Sequence, residues 1–440
     1  LMTNLVMKYD NVSLVGEHGA ILTTTTVFTN TNTVPTLWIA RSNCRVSGIE
    51  FRYSGWVSAS LASMLSIGAP SGAFGQGSPI SIGYSELYTG ASSGVYNTYR
   101  GVQLQVIRGV TIEKVKILGA IMHGIAFSNT VGTRIIDCDI EQFRGTGIFG
   151  HITAKCEISG NRLSSSKDDG IYLQNPSGHL GGVWTPLMQA DIAQCSIINN
   201  TISRVGAKGI GATAINGLVI AKNVINETRA QTIAAWDEVG EGCPSPTNVL
   251  ITGNTCTECF GSYGAAADGY AYSTALTTGP YWAVDISGTN GFDVSANVIR
   301  YTTKGRDSSH RGIVGYKNVS NGTISSNTVI GFARNNVASE TVAGAANVSV
   351  SGNVFECSAD VFTRLLGIGA GCSNILVSSN VFSSSANSAA SAAAVYAGLN
   401  SGSYISGNVF SLPGTLVAYG NDSPVTYFLK NGNYKNGVAI

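Results

Sequence analysis

The stretch Ile158-Ser-Gly-Asn161 belongs to a phrase that recurs along the chain and decides the fold. An apolar residue stands three positions before the asparagine, and another stands two positions after it. Further copies surround Asn200, Asn223, Asn254, Asn297, Asn327, Asn353, Asn380 and Asn408, and upstream copies have Ile49, Val115 and Cys138 in the asparagine place. The shortest spacing between copies is 23 residues. A minimum period with variable additions is typical of a solenoid with one coil per repeat.

Each copy contains short alternating apolar runs separated by Gly, Asn and Ser, a pattern that indicates strands. A coil of this length holds three short strands but has no room for a helix as well. The sequence therefore predicts an all-β fold, a right-handed single-stranded parallel β-helix of about 11–12 coils. We expect it to form one continuous domain over residues 1–410.

A second phrase, Gly-apolar-x-apolar, follows the asparagine position by nine residues in coils without an insertion before it, and it predicts another strand in each coil. It begins at Gly101, Gly124, Gly147, Gly170, Gly209 and Gly312. Long loops between such strands are usually functional or disordered. The expected insertions before this strand are residues 53–100, 258–280 and 302–311, and those after it are 175–194 and 237–247. Residues 411–440 lose the repeat and are expected to cap the stack or to contact another subunit.

Composition excludes several classes of function. Charged residues make up 12% of the 440 residues and the net charge is +1, which argues against a nucleic-acid partner. No apolar run reaches the length of a spanning helix, so we expect no membrane insertion. The nine cysteines include one close pair, Cys256 and Cys259, without further ligands at zinc spacing. We therefore expect no metal and no cofactor, and the opening residues show no signal-peptide pattern.

Polar residues gather beside the glycine phrase, where stacked coils would place them in columns. His123, Asp169 and Lys208 directly precede the glycine, and Arg144, Lys167 and Asp168 stand one or two places earlier. Outward positions on the strand itself, expected to face solvent, are held by Phe149, His151, Tyr172, Gln174, Thr213 and Trp236.

These residue types suit the chemistry of a saccharide chain. Hydrolysis requires two carboxyl groups around the glycosidic bond, and Asp168 and Asp169 are the candidates. Lys167, Arg144 and Lys208 are candidates for binding an acidic sugar, and His123 or His151 for carrying a proton. The rings of Phe149, Tyr172 and Trp236 and the amide of Gln174 are candidate substrate contacts. The alternative is structural: Asp-Asp-Gly is also ordinary turn chemistry, and His123 then only satisfies a turn.

Two other acidic groups compete for the catalytic role. Glu227 and Glu258 both lie four residues after the repeat asparagine, so they are expected to stack about 5 Å apart, as in a retaining glycosidase. Arg204 holds the same place one coil earlier and offers a surface ion pair instead. Asp237, together with Glu238 and Glu241, forms a looser acidic group beside Trp236.

The segment Lys167-Asp-Asp-Gly-Ile-Tyr-Leu173 and the Ser-Gly-Asn coils resemble pectate-lyase-like β-helix proteins, above all the tailspike depolymerases of tailed bacteriophages. Asp168-Asp169 also looks like the paired aspartates of polygalacturonase-type glycosidases, and His123-Gly124-Ile125 like their histidine motif. In this chain the histidine precedes the aspartates by two coils, and the Asn-Thr-Asp and Arg-Ile-Lys motifs are absent.

The resemblance implies a homotrimeric tailspike on the virion that binds capsule or lipopolysaccharide O-antigen and cleaves it by hydrolysis. Two alternatives stay open from the residues. One is a lyase acting on a uronic-acid polymer, in which His123 or a lysine abstracts a proton. The other is a non-enzymatic β-helix adhesin that only binds polysaccharide.

Overall fold

The structure is a computed structural model, and it describes about two thirds of the chain. The described residues are 5–17, 19–24, 35–53, 78–83, 98–99, 102–103, 106–120, 123–143, 145–166, 168–174, 194–236, 246–259, 282–301, 311–314, 319–331, 334–336, 345–357, 364–368, 371–384, 393–397, 402–412, 417–421, 429–431, 434–435 and 438–439.

The described residues group into two compact units. Unit 1 contains the described residues up to Asn216, and unit 2 those from Gly217 onward. In each unit, consecutive strands pass in turn through three parallel sheets, here called A, B and C. This order, with the same sheet regained after every third strand, is the coil of a parallel β-helix.

The strands of unit 1 are β1 (Leu5–Met7), β2 (Ser13–Val15), β3 (Ile21–Thr24), β4 (Leu37–Ile39), β5 (Arg45–Ser47), β6 (Glu50–Tyr53), β7 (Ile80–Ile82), β8 (Thr98–Tyr99), β9 (Val102–Gln103), β10 (Ile107–Arg108), β11 (Thr111–Glu113), β12 (Lys116–Ala120), β13 (Ile125–Val131), β14 (Arg134–Ile136), β15 (Asp139–Phe143), β16 (Ile148–Ala154), β17 (Glu157–Ser159), β18 (Arg162–Ser166), β19 (Ile171–Gln174), β20 (Ser196–Ile198), β21 (Thr201–Val205) and β22 (Ile210–Thr213). Sheet A begins with β1 and sheets B and C with β2 and β3.

The strands of unit 2 are β23 (Val219–Ala221), β24 (Val224–Thr228), β25 (Ile233–Ala235), β26 (Thr247–Thr252), β27 (Thr255–Cys259), β28 (Trp282–Asp285), β29 (Asn290–Ser295), β30 (Val298–Arg300), β31 (Arg311–Val314), β32 (Ser320–Ser325), β33 (Thr328–Ile330), β34 (Arg334–Asn336), β35 (Ala346–Ser351), β36 (Val354–Cys357), β37 (Arg364–Ile368), β38 (Ser373–Ser378), β39 (Val381–Ser384), β40 (Ala393–Ala397), β41 (Tyr404–Ser406), β42 (Val409–Ser411), β43 (Val417–Asn421), β44 (Leu429–Asn431), β45 (Tyr434–Lys435) and β46 (Val438–Ala439). Across both units, the described residues contain no helix that is long and apolar enough to cross a membrane.

The core lies inside the coils, where side chains of like kind stack from one coil to the next. Ile125, Ile148, Ile171 and Ile210 follow one another in register along sheet A of unit 1, and all are fully buried. In unit 2, the rings of Phe355 and Phe382 stack with centroids 5.4 Å apart. This in-register stacking explains why the apolar positions recur at fixed offsets in the sequence.

The repeat asparagines form a buried asparagine ladder at the corner between sheets B and C. Asn353 is typical: its side-chain Oδ1 accepts hydrogen bonds from the backbone N–H and the side-chain Nδ2 of Asn327, at 2.9 and 3.0 Å. Its own Nδ2 donates to the carbonyl of Ile324 at 2.8 Å. Each asparagine therefore satisfies buried polar groups that a tight corner would leave unpaired.

The residue before each ladder asparagine bends the chain into the corner. Gly352 has φ 64°, a left-handed conformation that glycine adopts at little cost. Other coils place Ala296 and Ser326 in the same conformation, with φ 55° and 57°. In the recurrent Ser-Gly-Asn phrase, the glycine thus forms the bend and the asparagine side chain makes the hydrogen bonds.

The number of coils is larger than the 11–12 expected. Sheet B has six strands in unit 1 and eight in unit 2, so the described residues form fourteen coils. The two additional coils lie at the ends of the described chain, where no asparagine phrase marks the corner. One of them falls within residues 411–440, where β43, β44 and β45 make a further coil and β46 pairs antiparallel with β45.

The phrase at Gly101 predicted the sheet A strand that stacks on Ile125, and this prediction is wrong. Val102 and Gln103 instead form β9, which pairs antiparallel with β8. The stacked strand is β7, whose Ile80 is in register with Ile125. Ile80-Ser-Ile82 follows a proline and lacks the glycine with which the phrase begins. The sequence pattern therefore placed this strand within the expected insertion 53–100.

The other expected insertions separate strands of known position. Residues 175–194 follow a sheet A strand, and so do residues 237–247. Residues 258–280 and 302–311 connect sheet C to sheet A. Apart from a few residues at their ends, all four segments lie outside the described residues.

We predict that Asn353→Ala lowers the free energy of unfolding by about 2–4 kcal/mol, because it leaves buried backbone and amide groups of two neighbouring coils unpaired. Urea denaturation followed by circular dichroism measures the change. Thr323→Ala is the control, since it removes an exposed hydrogen bond to Asp293 in the same unit and should cost under about 0.5 kcal/mol. Equal losses in the two variants would contradict the structural role of the asparagine ladder.

Candidate functional site

Four neighbouring strands of sheet A in unit 1, β13, β16, β19 and β22, position most of the predicted site. Their pairing aligns two columns of outward side chains. The first column is Ala126, Phe149, Tyr172 and Gly211, and the second is Ser128, His151, Gln174 and Thr213. A Cβ added to Gly211 would lie 2.9 Å from Cδ2 of Tyr172, whereas one on Gly150 would meet Leu173 and Phe127. The ring of Tyr172 therefore faces away from the core, as the sequence predicted.

The outward columns are nevertheless buried, which corrects the expectation of solvent-facing side chains. Phe149 is 4% exposed, His151 3% and Gln174 5%. The two-residue alternation of a strand determines the face on which a side chain lies, but not whether other parts of the protein cover that face. We refer to these columns, with His123, Asp169 and Lys208 beside them, as the sheet A site.

His123 lies at the start of the sheet A site and is neutral at pH 7. Its Nδ1 accepts a hydrogen bond from the Thr146 N–H at 3.0 Å, which places its proton on Nε2. Its ring stacks on Phe149 with centroids 4.6 Å apart. Burial lowers the pKa of His123 from 6.5 to about 4. A neutral imidazole held in this way is a weak proton carrier near neutral pH.

Asp169 and Lys208 join two neighbouring coils. The Asp169 carboxylate accepts the backbone N–H of Lys208 at 2.6 Å and lies 3.7 Å from its Nζ. The same Nζ lies 5.3 Å from the centroid of the Tyr172 ring, in reach of a cation–π interaction. The Asp169 side chain is only 4% exposed and that of Lys208 20%, so this is a largely buried ion pair. Asp169 and Lys208 therefore meet across two neighbouring coils, and the ion pair gives Asp169 a structural task.

Asp168 differs from its neighbour in environment. It is exposed, and its backbone carbonyl accepts a hydrogen bond from the Ser166 hydroxyl at 2.6 Å. Asp168 is thus exposed, whereas the adjacent Asp169 is buried and paired with Lys208. Lys167 and Arg144, the other predicted cations, lie outside the described residues.

The competing acidic residues lie in unit 2. Asn226 and Thr228 are in register with Thr257 and Cys259, so Glu227 and Glu258 occupy matching places in neighbouring coils of sheet C, as predicted. Both are half-buried and have positive φ, 55° and 50°. In unit 1, Gln142 has the same conformation at the same place, so the position serves as a bend whatever its side chain. Trp236 follows β25 and is half-buried, and Asp237 lies outside the described residues.

Sequence reasoning missed two residues on sheet A. Gly211 leaves room for the Tyr172 ring and for Lys208, whose Cδ would lie 3.3 Å from an added Cβ. Asp285 in unit 2 is 1% exposed, and its Oδ1 accepts the N–H and the hydroxyl of Ser287. An acid inside the apolar run of β28, followed closely by Ser287 and Gly288, was the available signal for such a capped turn.

No group of three or more metal-ligating side chains occurs among the residues that the structure describes. The cysteines whose side chains the structure describes are buried and have reduced thiols, and they are Cys44, Cys138, Cys156, Cys195, Cys256, Cys357 and Cys372. Burial raises the pKa of Cys138 to about 12, which keeps that thiol protonated and unreactive.

Comparison with known proteins agrees with this geometry. Residues 75–241 match the family model described as a right-handed β-helix region. The parallel sheets and this match define the class: the protein is a right-handed parallel β-helix. No curated protein sequence matches the chain.

Solved structures of similar fold come from proteins of different activity. The chain is 12% identical to the A-module of the mannuronan C-5 epimerase AlgE6 from Azotobacter vinelandii, with a TM-score of 0.50 over 97% of this chain and 91% of that one. It is 10% identical to tailspike protein 3 of bacteriophage CBA120, with a TM-score of 0.47. This alignment covers 99% of the present chain but 55% of the tailspike. A tailspike mutant of the E. coli bacteriophage HK620 is 11% identical, with a TM-score of 0.48 over 97% and 72% of the two chains. Identities this low show a shared fold alone.

We predict that His123 makes the stability of the protein depend on pH in the acidic range. The unfolded chain takes up a proton on this imidazole near pH 6.5, whereas the folded chain does so only near pH 4. The stabilisation from the neutral ring is therefore complete above pH 6.5 and is lost as the pH falls toward 4, by about 3 kcal/mol. Urea denaturation of the wild type and of His123→Asn, which does not titrate here, measures the difference. The gap between the two proteins should shrink by that amount from pH 7 to pH 4, and a constant gap would contradict the assignment.

Proposed function

We propose that the protein binds a polysaccharide at the edge of the sheet A site and hydrolyses its glycosidic bonds. The observation that carries the proposal is the pair Asp168 and Asp169, in which one carboxyl is exposed and the other is ion-paired with Lys208. A glycosidase needs one carboxyl group that donates a proton and one that stays charged, and the ion pair with Lys208 favours the charged form at Asp169.

The roles follow from the contacts. Lys208 and its backbone N–H stabilise the negative charge of Asp169, so this carboxylate is the charged partner, acting as base or nucleophile. Asp168 is the exposed carboxyl that donates a proton to the leaving oxygen. The ring of Tyr172 lies 5.3 Å from the Lys208 Nζ and supplies an aromatic surface at the site. Lys167 and Arg144 are proposed to bind acidic groups of the substrate.

The remaining predicted residues take supporting roles in this proposal. His123, neutral and stacked on Phe149, positions the face of the site together with His151 and Gln174. Glu227 and Glu258, with Trp236 and Asp237, form the alternative site. The epimerase with which the chain shares its fold is named for mannuronan, which is also a polysaccharide.

The biological setting is also a proposal. The Ser-Gly-Asn coils and the Asp-Asp-Gly segment resemble tailspike depolymerases, so we propose a virion tailspike, homotrimeric, that acts on capsule or O-antigen of a host bacterium. A lyase and a binding protein without activity are the alternatives. The low pKa of His123 argues against this residue as the proton-abstracting base of a lyase near neutral pH.

The proposal is tested by incubating the protein with a panel of purified capsular and O-antigen polysaccharides. Size-exclusion chromatography should show shortening of one of them, with new reducing ends and no ultraviolet absorbance from an unsaturated sugar. Absorbance of that kind would establish a lyase, and binding without shortening would establish an adhesin.

On the polysaccharide that is cleaved, we predict that Asp168→Asn and Asp169→Asn each lower kcat by about 10²–10⁴-fold. Asp169→Asn keeps an oxygen that accepts the Lys208 N–H, so the fold is retained while the charge is lost. Glu141→Gln is the matched control, because it removes a carboxylate that pairs with the exposed Arg162 in the same unit. Full activity in both aspartate variants would overturn the site, and loss of activity in Glu227→Gln instead would move it to unit 2.

A further inference from the structure

Cys156 and Cys195 occupy the same corner of two neighbouring coils in unit 1, where sheet A leads into sheet B. The strands that follow them are in register, Glu157 with Ser196, and the Ser196 N–H donates to the Cys156 carbonyl at 2.8 Å. The preceding residues, Lys155 and Gln194, both have positive φ, 51° and 75°. The two cysteines therefore enter the core through the same bend, one directly above the other.

This arrangement is close to the geometry of a disulfide. In-register residues of adjacent parallel strands lie about 4.8 Å apart, inside the range of about 4.4–6.8 Å between the Cα atoms of bonded cysteines. Cys156 is 1% exposed and Cys195 0%, and both are free thiols. Their side chains are within hydrogen-bonding distance of each other, which raises the pKa of Cys156 and lowers that of Cys195.

Other buried cysteines stand beside residues of other types in the neighbouring coils. Cys138 lies beside Asn161, Cys256 between Ile225 and Ile299, Cys357 beside Ser384, and Cys372 beside Ala345. Among the cysteines whose side chains the structure describes, Cys156 and Cys195 are the pair placed for a bond.

We propose that Cys156 and Cys195 are an oxidation site, at which hydrogen peroxide converts the two thiols into a disulfide that joins neighbouring coils. The thiolate of one cysteine attacks a peroxide oxygen, the O–O bond breaks, and a sulfenic acid and one water are formed. The sulfur of the other cysteine then attacks the sulfenic sulfur, the S–O bond breaks, and the S–S bond forms as a second water leaves. Two thiols lose one hydrogen atom each, and one hydrogen peroxide is reduced to two waters.

The bond encloses the coil that carries Asp168, Asp169 and Tyr172. Closing this segment of the chain removes conformational freedom from the unfolded state, so the oxidised protein is more resistant to unfolding. We expect its thermal midpoint to rise by about 5 °C, and dithiothreitol to reverse the change.

The test uses the folded, full-length chain treated with hydrogen peroxide. After excess peroxide is removed, the protein is denatured and alkylated, and its peptides are mapped by mass spectrometry. We expect a linked pair of peptides containing Cys156 and Cys195, lighter by two hydrogen atoms than the two reduced peptides together. The number of alkylated thiols should fall by two.

Variants separate this pair from oxidation elsewhere. Cys195→Ala should abolish both the linked peptides and the rise in thermal midpoint, whereas Cys138→Ala, which removes another buried cysteine of unit 1, should keep both. The wild-type peptide map decides the question even if a variant folds poorly. Free Cys156 and Cys195 after peroxide treatment, or either of them as a separate sulfinic acid, would overturn the proposal.

Discussion

The structure depends on one constraint, the register of each coil on the next. Strand pairing alone leaves a corner with buried polar groups, and the ladder asparagines satisfy them: Asn353 accepts two hydrogen bonds from Asn327 and donates to the carbonyl of Ile324. A shift by one residue would break these bonds and turn the apolar side chains outward. The corner therefore determines which residues become neighbours in the interior and on the outer face.

The candidate site is a consequence of that register. Phe149, Tyr172 and Gly211 are far apart in the sequence but lie in one column because their strands pair without a shift. Asp169 and Lys208 meet because each directly precedes the same strand in neighbouring coils. A site on a β-helix thus requires suitable residues at equal offsets in neighbouring coils. Gly211 shows that a small residue in the next coil, in register with Tyr172, is also part of the arrangement.

The sequence was sufficient to predict the repeat and the columns of outward side chains, because residues at equal offsets in successive coils become neighbours. It was insufficient where the phrase is absent: Ile80-Ser-Ile82 follows a proline and was missed, and the terminal coils have no asparagine to mark them. The burial of the outward side chains also could not be predicted from the sequence. Phe149 and His151 stand at alternating positions typical of exposed residues, and yet both are buried. The ion pair of Asp169 with Lys208 required the distance between two coils, which spacing alone does not provide.

The most direct test of the account is a crystal structure of the Asp168→Asn variant with an oligosaccharide taken from a polysaccharide that the wild type cleaves. The account predicts a sugar within about 3 Å of the side chain at position 168, near the hydrogen-bonding distance of a reacting group, and beside Tyr172 and Lys208. A sugar held instead between Glu227 and Glu258 on sheet C of unit 2 would contradict it.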